Sequence, residues 1–264
     1  MGRVDAQRQQ TYRIERFGDI DSTNAEALRR AASGDCGPLW IVAERQLAGR
    51  GRRGRYWVSE PGNLYASLLF APQCEPRHAG QIAFVAGVAV RDAICAIAPD
   101  AAAGLALKWP NDLLYRNAKV AGILIESAGS AELECLVVGC GVNCATSPPD
   151  TPYRATNFAS EGLVVPREKL AEELAASFSY RLDEWQRGEN FAAIREAWLR
   201  SASGIGAPII VRLGAEDVDG IFEGLGADGQ LILRRGDGSR RSILTGDIFF
   251  RPPAGTAGIA QNGH

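Results

Sequence analysis

The sequence predicts an α+β protein, a mixed β-sheet with helices followed by a small C-terminal β-barrel. Three observations carry that prediction. Apolar runs of strand length and helical runs occur without the regular alternation of a doubly wound parallel sheet. Two amphipathic helices follow the last long apolar strand. Beyond Ser203-Gly204-Ile205-Gly206 the texture changes to short strand-like runs punctuated by Gly and Asp, the pattern of a small barrel.

The elements follow in order. Residues 12–19 read as an entry strand. Thr23-Asn24-Ala25-Glu26 has the form of a capping box, with Thr23 as the cap, and predicts a helix to about Ala32. After Gly34 and Pro38, residues 39–43 form a short apolar strand. Residues 44–61 carry much Gly and Arg and little hydrophobic periodicity, so they read as a long loop, a feature usually functional or disordered. Leu64–Phe70 is the next strand and Ile82–Ile97 a buried helix. Residues 105–109, 120–126 and 134–143 complete the sheet. Pro166 suits a helix start. Leu170, Leu174, Phe178, Leu182 and Trp185 then mark one helix face, and Gly188 ends it. Asn190 caps a second helix containing Phe191, Ile194 and Trp198. The barrel strands are Pro208–Leu213, 218–225, Leu231–Arg234, 241–244 and Asp247–Phe250. The expected division is a first domain over residues 1–205, a barrel over 206–252 and a disordered tail over 253–264.

Composition narrows the function. Of 264 residues, 46% are hydrophobic, enough for a core, and the net charge of −2 gives no support to a generic nucleic-acid binder. Residues 1–10 are polar, unlike a secretory leader. The apolar run 82–90 is too short for a membrane span. Six cysteines without a C-x-x-C pair suit a reduced, cytoplasmic protein. With His78 and His264 as the only histidines, neither a zinc site nor a histidine base is expected.

Four segments carry chemistry. In Gly49-Arg50-Gly51-Arg52-Arg53-Gly54-Arg55, glycines let the backbone approach a ligand and arginines offer forks for carboxylate and phosphate oxygens. A solvated basic loop, a nucleic-acid contact and a phosphate-binding loop all fit this composition, while a Walker A loop does not, because no Lys follows the glycines. Nearby, the Gln46 amide both donates and accepts, as recognition of a neutral cyclic urea requires. Trp57 suits either core packing or stacking on an adenine. The second segment, Lys108-Trp109-Pro110-Asn111-Asp112, puts two polar residues after a strand end. The third opens an apolar strand with Lys119, in reach of a ligand carboxylate, and continues through Gly122 to Glu126. The fourth, Gly139-Cys140-Gly141-Val142-Asn143, ends a buried strand on glycines that let a ligand lie flat, with Asn143 placed to read an adenine edge.

Together these segments, with Asp21-Ser22-Thr23-Asn24 ahead of them, resemble the biotin protein ligase family in order and approximate spacing. The resemblance implies a catalytic domain like that of class II aminoacyl-tRNA synthetases and an SH3-like C-terminal domain. It implies formation of biotinyl-5'-AMP from biotin and ATP, then transfer to a lysine of a biotin carboxyl carrier protein or domain. Ser22, Thr23, Asn24 and Gln46 would face the ureido ring, and Gly49, Gly122 and Gly141 would complete the biotin site. Arg50, Gly51, Arg52 and Lys119 would line the valerate and activated phosphate. Arg52, Arg53, Arg55, Trp57, Asn111 and Asn143 would hold the nucleotide. Catalysis would fall to Arg50, Arg52, Lys119 and Asp112, with Asp112 beside Mg²⁺. Some members carry an N-terminal helix-turn-helix domain. Ser22 arrives too early for one here, so neither a repressor role nor a nucleic-acid or membrane partner is expected. A monomer and a homodimer both fit. The nearest rivals are a lipoate or octanoate ligase, a nucleic-acid-binding module and a biotin sensor without catalysis.

Overall fold

A computed structural model describes residues 12–130 and 133–250. The expected tail over 253–264 lies outside the described residues. Seven strands form one mixed sheet in the order β1-β2-β3-β7-β6-β5-β4, and five more form an antiparallel sheet in the order β11-β10-β9-β8-β12.

β1 (Arg13–Ile20) and β2 (Leu39–Gln46) run parallel, so α1 (Thr23–Ala32) is their crossover. Every other neighbouring pair in the large sheet is antiparallel. β3 (Leu64–Phe70) is buried along its whole length. It leads into α2 (Ile82–Ile97), then β4 (Leu105–Lys108), β5 (Asp112–Tyr115), β6 (Ala118–Ser130) and β7 (Leu133–Val142). α3 (Arg167–Trp185) and α4 (Phe191–Arg200) follow. The smaller sheet comprises β8 (Pro208–Leu213), β9 (Glu216–Leu225), β10 (Leu231–Arg234), β11 (Arg240–Ile243) and β12 (Asp247–Phe250).

Strand alternation separates the two faces of the large sheet. On one face Leu39, Ile41, Leu69, Cys135 and Val137 pack with Ala27 and Ala31 of α1. On the other, Trp40, Leu68, Phe70, Val138 and Val142 join α2 and α3, and Phe178 meets Trp40 and Phe70 edge-on. The segment Pro76–Ile97 is long and apolar enough to cross a membrane, but most of it is buried here, as expected of a core helix. The two sheets are joined through the β4–β5 turn, where the Trp109 indole Nε1 donates to the Gly229 carbonyl at 3.2 Å.

Three expectations need correction. The α1 cap is Ser22, not Thr23: its hydroxyl accepts from the Ala25 amide, and Thr23 is the first helical residue. Glu26 pairs with Arg29 and Arg30, so no capping box closes. The expected loop at residue 44 starts three residues later, because β2 stays paired with β1 to Gln46. Leu113, Leu114 and Tyr115 form a separate strand in hairpin with β4, too short for a periodicity signal.

Candidate active site

Register builds the floor of a cavity. Asp112, Gly122, Gly141 and Tyr65 lie side by side across β5, β6, β7 and β3. Two residues along, Leu124, Gly139 and Ser67 form a second row on the same face. The glycines leave this floor bare. The Trp57 indole rests on it, so that a Cβ at Gly141 would fall 2.7 Å from that ring and one at Gly122 3.0 Å from it. Asn24 fills the space above Gly139, where a Cβ would meet its Oδ1 at 2.2 Å. Over this floor opens a cavity of about 640 Å³.

One end of the cavity is neutral and tightly hydrogen-bonded. Thr23 and Asn24 begin α1, and Gln46 ends β2 beside them. The Thr23 amide donates to Gln46 Oε1 at 2.9 Å, and Thr23 Oγ1 lies 3.0 Å from the same oxygen. Gln46 Nε2 donates to Ser59 Oγ at 2.9 Å, and Asn24 Nδ2 donates to Glu126 at 2.7 Å. A backbone N–H only donates and a carboxylate only accepts, so both amides have fixed orientations.

The other end is charged. Residues 49–57 fold back on themselves: Arg50 bridges Tyr56, and the Gly51 amide donates to the Arg55 carbonyl at 2.7 Å. Arg53 takes a left-handed conformation (φ 57°) at the tip. One carboxylate of the smaller sheet, Asp247, faces three of these arginines, at 3.5 Å from Arg52, 3.1 Å from Arg53 and 3.2 Å from Arg55. Arg52 also donates to Asn111 Oδ1 at 3.0 Å, and burial holds its guanidinium below the usual arginine value while Asp247 opposes that shift. Lys119 meets Asp112 at 2.6 Å and sits over the Trp57 and Tyr153 rings. Lys108 reaches the same space from β4, over the Phe250 ring, and has no carboxylate within ion-pair distance among the described residues. Burial pushes its ammonium below the usual lysine range.

Ser22, Thr23, Asn24, Gln46, Arg50, Gly51, Arg52, Arg55, Trp57, Asn111, Asp112, Lys119, Gly122 and Gly141 all line this one cavity. Gly49, Arg53 and Asn143 do not line it. Gly49 packs against Ser59 and Gln46, where a Cβ would clash. Arg53 turns to Asp247. Asn143 is buried and donates to the Thr156 carbonyl at 3.0 Å, which sews residues 154–158 to the end of β7. Trp57 covers the glycine floor instead of standing clear for a base. The sequence reading assigned no role to Ser67, Ser59, Lys108, Tyr153 or Asp247. Ser67 had a signal, a small polar residue midway along a fully buried strand.

The arrangement suits a ligand with a neutral, hydrogen-bonding head and an anionic tail. Comparison with known proteins agrees. Residues 20–143 match the Biotin/lipoate A/B protein ligase family, and residues 204–251 match the biotin protein ligase C terminal domain. A biotin–[acetyl-CoA-carboxylase] ligase of Paracoccus denitrificans is 43% identical over 240 residues, covering 87% of this chain and 97% of the relative. One from Mycobacterium tuberculosis is 35% identical over 232 residues, covering 86% and 85%. Among solved structures, the biotin protein ligase from Aquifex aeolicus in complex with biotin and ATP superposes with a TM-score of 0.77 at 26% identity, covering 90% of this chain and 98% of that one. With these identities along nearly its whole length, the chain belongs to the biotin protein ligases of the biotin/lipoate protein ligase family.

Proposed function

We propose that this chain activates biotin with ATP as biotinyl-5'-AMP and passes the biotinyl group to a lysine of a biotin carboxyl carrier protein or domain. The observation that carries the reading is one cavity with a neutral amide-and-hydroxyl end and a cationic end about Lys119 and Arg52. The ureido ring goes to Thr23, Asn24 and Gln46, and the valerate runs along the glycine floor toward Lys119.

In the first step a carboxylate oxygen of biotin bonds to the α-phosphorus of ATP, and the bond from that phosphorus to the departing pyrophosphate breaks. Two unit charges about 4 Å apart repel by roughly 4 kcal/mol at an effective dielectric of about 20. Arg50, Arg52 and Lys119 offset that repulsion and the charge that builds on the phosphate oxygens. In the second step the neutral lysine amine of the acceptor bonds to the acyl carbon, AMP leaves with the bonding pair, and the amine loses a proton. No protein nucleophile is needed.

Among the described residues no three His, Cys, Asp or Glu side chains gather as a metal cage. With nucleotides Mg²⁺ is commonly held by one or two carboxylates and phosphate oxygens, and Asp112, which here pairs with Lys119 at 2.6 Å, offers one such carboxylate in the cavity. Asp112 would hold it, and it would supply further neutralisation of the triphosphate.

We assign residues 1–205 to a catalytic domain related to class II aminoacyl-tRNA synthetases and 206–252 to an SH3-like domain. The five-stranded antiparallel order of the second sheet supports the latter. Incubation with ATP, radiolabelled biotin and a biotinyl carrier domain tests the whole reading. Label is expected on the carrier lysine only when ATP is present. Label on the carrier from lipoate and none from biotin would overturn it.

A further inference from the structure

Ser59 is buried, belongs to no strand or helix and lies outside the cavity lining. Its hydroxyl joins two parts of the site. Gln46 Nε2 donates to Ser59 Oγ at 2.9 Å, and Ser59 Oγ donates to the Trp57 carbonyl at 2.9 Å. Neither direction can reverse. The Thr23 backbone N–H donates to Gln46 Oε1, so the amide nitrogen is the end that meets Ser59. An amide nitrogen only donates, and a backbone carbonyl only accepts. The Ser59 oxygen therefore receives one hydrogen bond, and its single hydrogen makes the other. Gly49 gives this junction its room. A Cβ there would fall 2.5 Å from the Trp57 carbonyl oxygen, 2.6 Å from Ser59 Oγ and 3.1 Å from Gln46 Nε2.

The second contact reaches the arginine loop. Trp57 closes the neck of that loop, because its N–H donates to the Gly49 carbonyl at 2.9 Å and Arg50 bridges Tyr56 just beyond. Arg50 and Arg52, which line the cavity, lie on the loop past this neck. One hydroxyl thus holds both an amide at the neutral end and the base of the loop that carries the cations.

We infer that Ser59 is a positioning residue for biotin activation: it touches no substrate, and it keeps the Gln46 amide and the neck of the arginine loop in one fixed relation. The inference rests on the biotin-ligase reading and deepens it, because it names what holds the reader of the ureido ring in register with the cations that meet the carboxylate. In Ser59→Ala, Gln46 Nε2 keeps a hydrogen without an acceptor where water does not reach. The amide escapes by turning toward the cavity, which carries Oε1 away from the Thr23 N–H. The Trp57 carbonyl loses its donor, and the neck loosens.

Calorimetric titration with biotin of four full-length chains provides the test: wild type, Ser59→Ala, Gln46→Ala and the double variant. Ser59→Ala is expected to weaken biotin binding about tenfold. In the Gln46→Ala background the same change should cost less than about twofold, since the amide that Ser59 serves is gone. A merely structural role would cost the same factor in both backgrounds. Proteolysis within residues 49–55 reads the neck. Ser59→Ala should speed it about two- to fivefold in both backgrounds, because the Trp57 contact does not pass through Gln46. Ser59→Cys, close in volume and weaker in hydrogen bonding, should fall between serine and alanine, and serves if the alanine variant does not fold. An equal loss of biotin affinity in both backgrounds, no loss in either, or unchanged proteolysis overturns the inference while the biotin reading stands. A wild-type chain that binds lipoate or octanoate and not biotin overturns that reading, and the inference with it.

Discussion

The two ends of the cavity recognise by opposite means. At the neutral end Thr23, Asn24 and Gln46 are buried, and their partners Ser59, Ser67 and Glu126 fix them from behind. At the charged end Arg50, Arg53 and Arg55 are exposed and arrive on a loop; Asp247 of the smaller sheet is the shared counter-charge of Arg53 and Arg55, while Arg50 lies 4.0 Å from Glu126. A neutral ring carries no long-range field, so selection among rings depends on oxygens and hydrogens held to fractions of an ångström. A triphosphate is attracted from a distance and tolerates mobile partners. Perturbations should therefore separate: changes at the charged end alter rate and nucleotide affinity, and changes at the neutral end alter biotin affinity.

The largest effect is expected at the charged end, where the carboxylate of biotin would meet the α-phosphate. Arg52→Ala and Lys119→Ala should each slow biotinyl-adenylate formation by roughly a hundred- to a thousandfold, the usual cost of one preorganised donor to a developing oxyanion. Pyrophosphate release measures this, and circular dichroism should report an intact fold. Near wild-type release in both variants would remove these residues from the chemistry.

Next is the rigid end. A methyl at residue 139 points at Asn24 Oδ1, 2.2 Å from its Cβ, and both sit on elements that cannot retreat. Gly139→Ala should displace the Asn24 side chain and weaken biotin binding about 10- to 100-fold, with the Kd for ATP unchanged. Equal losses for both ligands would show that the two ends are not separate.

Asp247 tests the charged end. Asp247→Asn removes the carboxylate from three arginines, two of which are well exposed, so each pair contributes little. Proteolysis within residues 49–55 should speed up roughly two- to fivefold in the free protein. With biotin and ATP bound, the two proteins should be cut alike, because the ligand then supplies the negative charge. A loop cut equally in all four states would mean that neither Asp247 nor the ligand orders it.

The same contrast explains what was legible in the sequence. The arginine loop, Gln46 and Trp57 are close in sequence, Lys119 opens an apolar strand that Gly122 interrupts, and Gly141 lies at the end of another, so composition and position marked them. Ser67 escaped because its meaning lies in register: only when β3 is set against β7 does it face Gly139 and reach Asn24. Asp247 escaped because nothing local marks an acidic residue that serves arginines almost two hundred positions earlier. Asn143 misled for the converse reason. Its motif is local, but its partner is the Thr156 carbonyl beneath the chain that follows. Fold class was easier, since the change from long apolar strands to short punctuated ones needs no knowledge of register.

Lys108 gives the smallest effect, and one of unusual sign. Its ammonium is desolvated, and its nearest partner is the Phe250 ring, 5.6 Å away. Burial pushes its folded pKa below the usual 10.5, so the folded chain binds fewer protons than the unfolded chain between the two values. The penalty is thus present in full below the folded pKa and fades as pH rises toward 10.5. Lys108→Met keeps the length and apolar stem and removes the charge. At neutral pH it should raise Tm by roughly 2–4 °C, which is what about 1 kcal/mol is worth in a chain of this size. The gain over wild type should vanish as pH climbs through that window. The same variant should raise the KM for ATP and leave the biotin Kd alone, because a cation held at a cost in the empty cavity recovers that cost when phosphate arrives. A lower Tm at neutral pH, or a gain that grows with pH, would show that Asp112 and Asp247 already stabilise the ammonium and that Lys108 is not waiting for an anion.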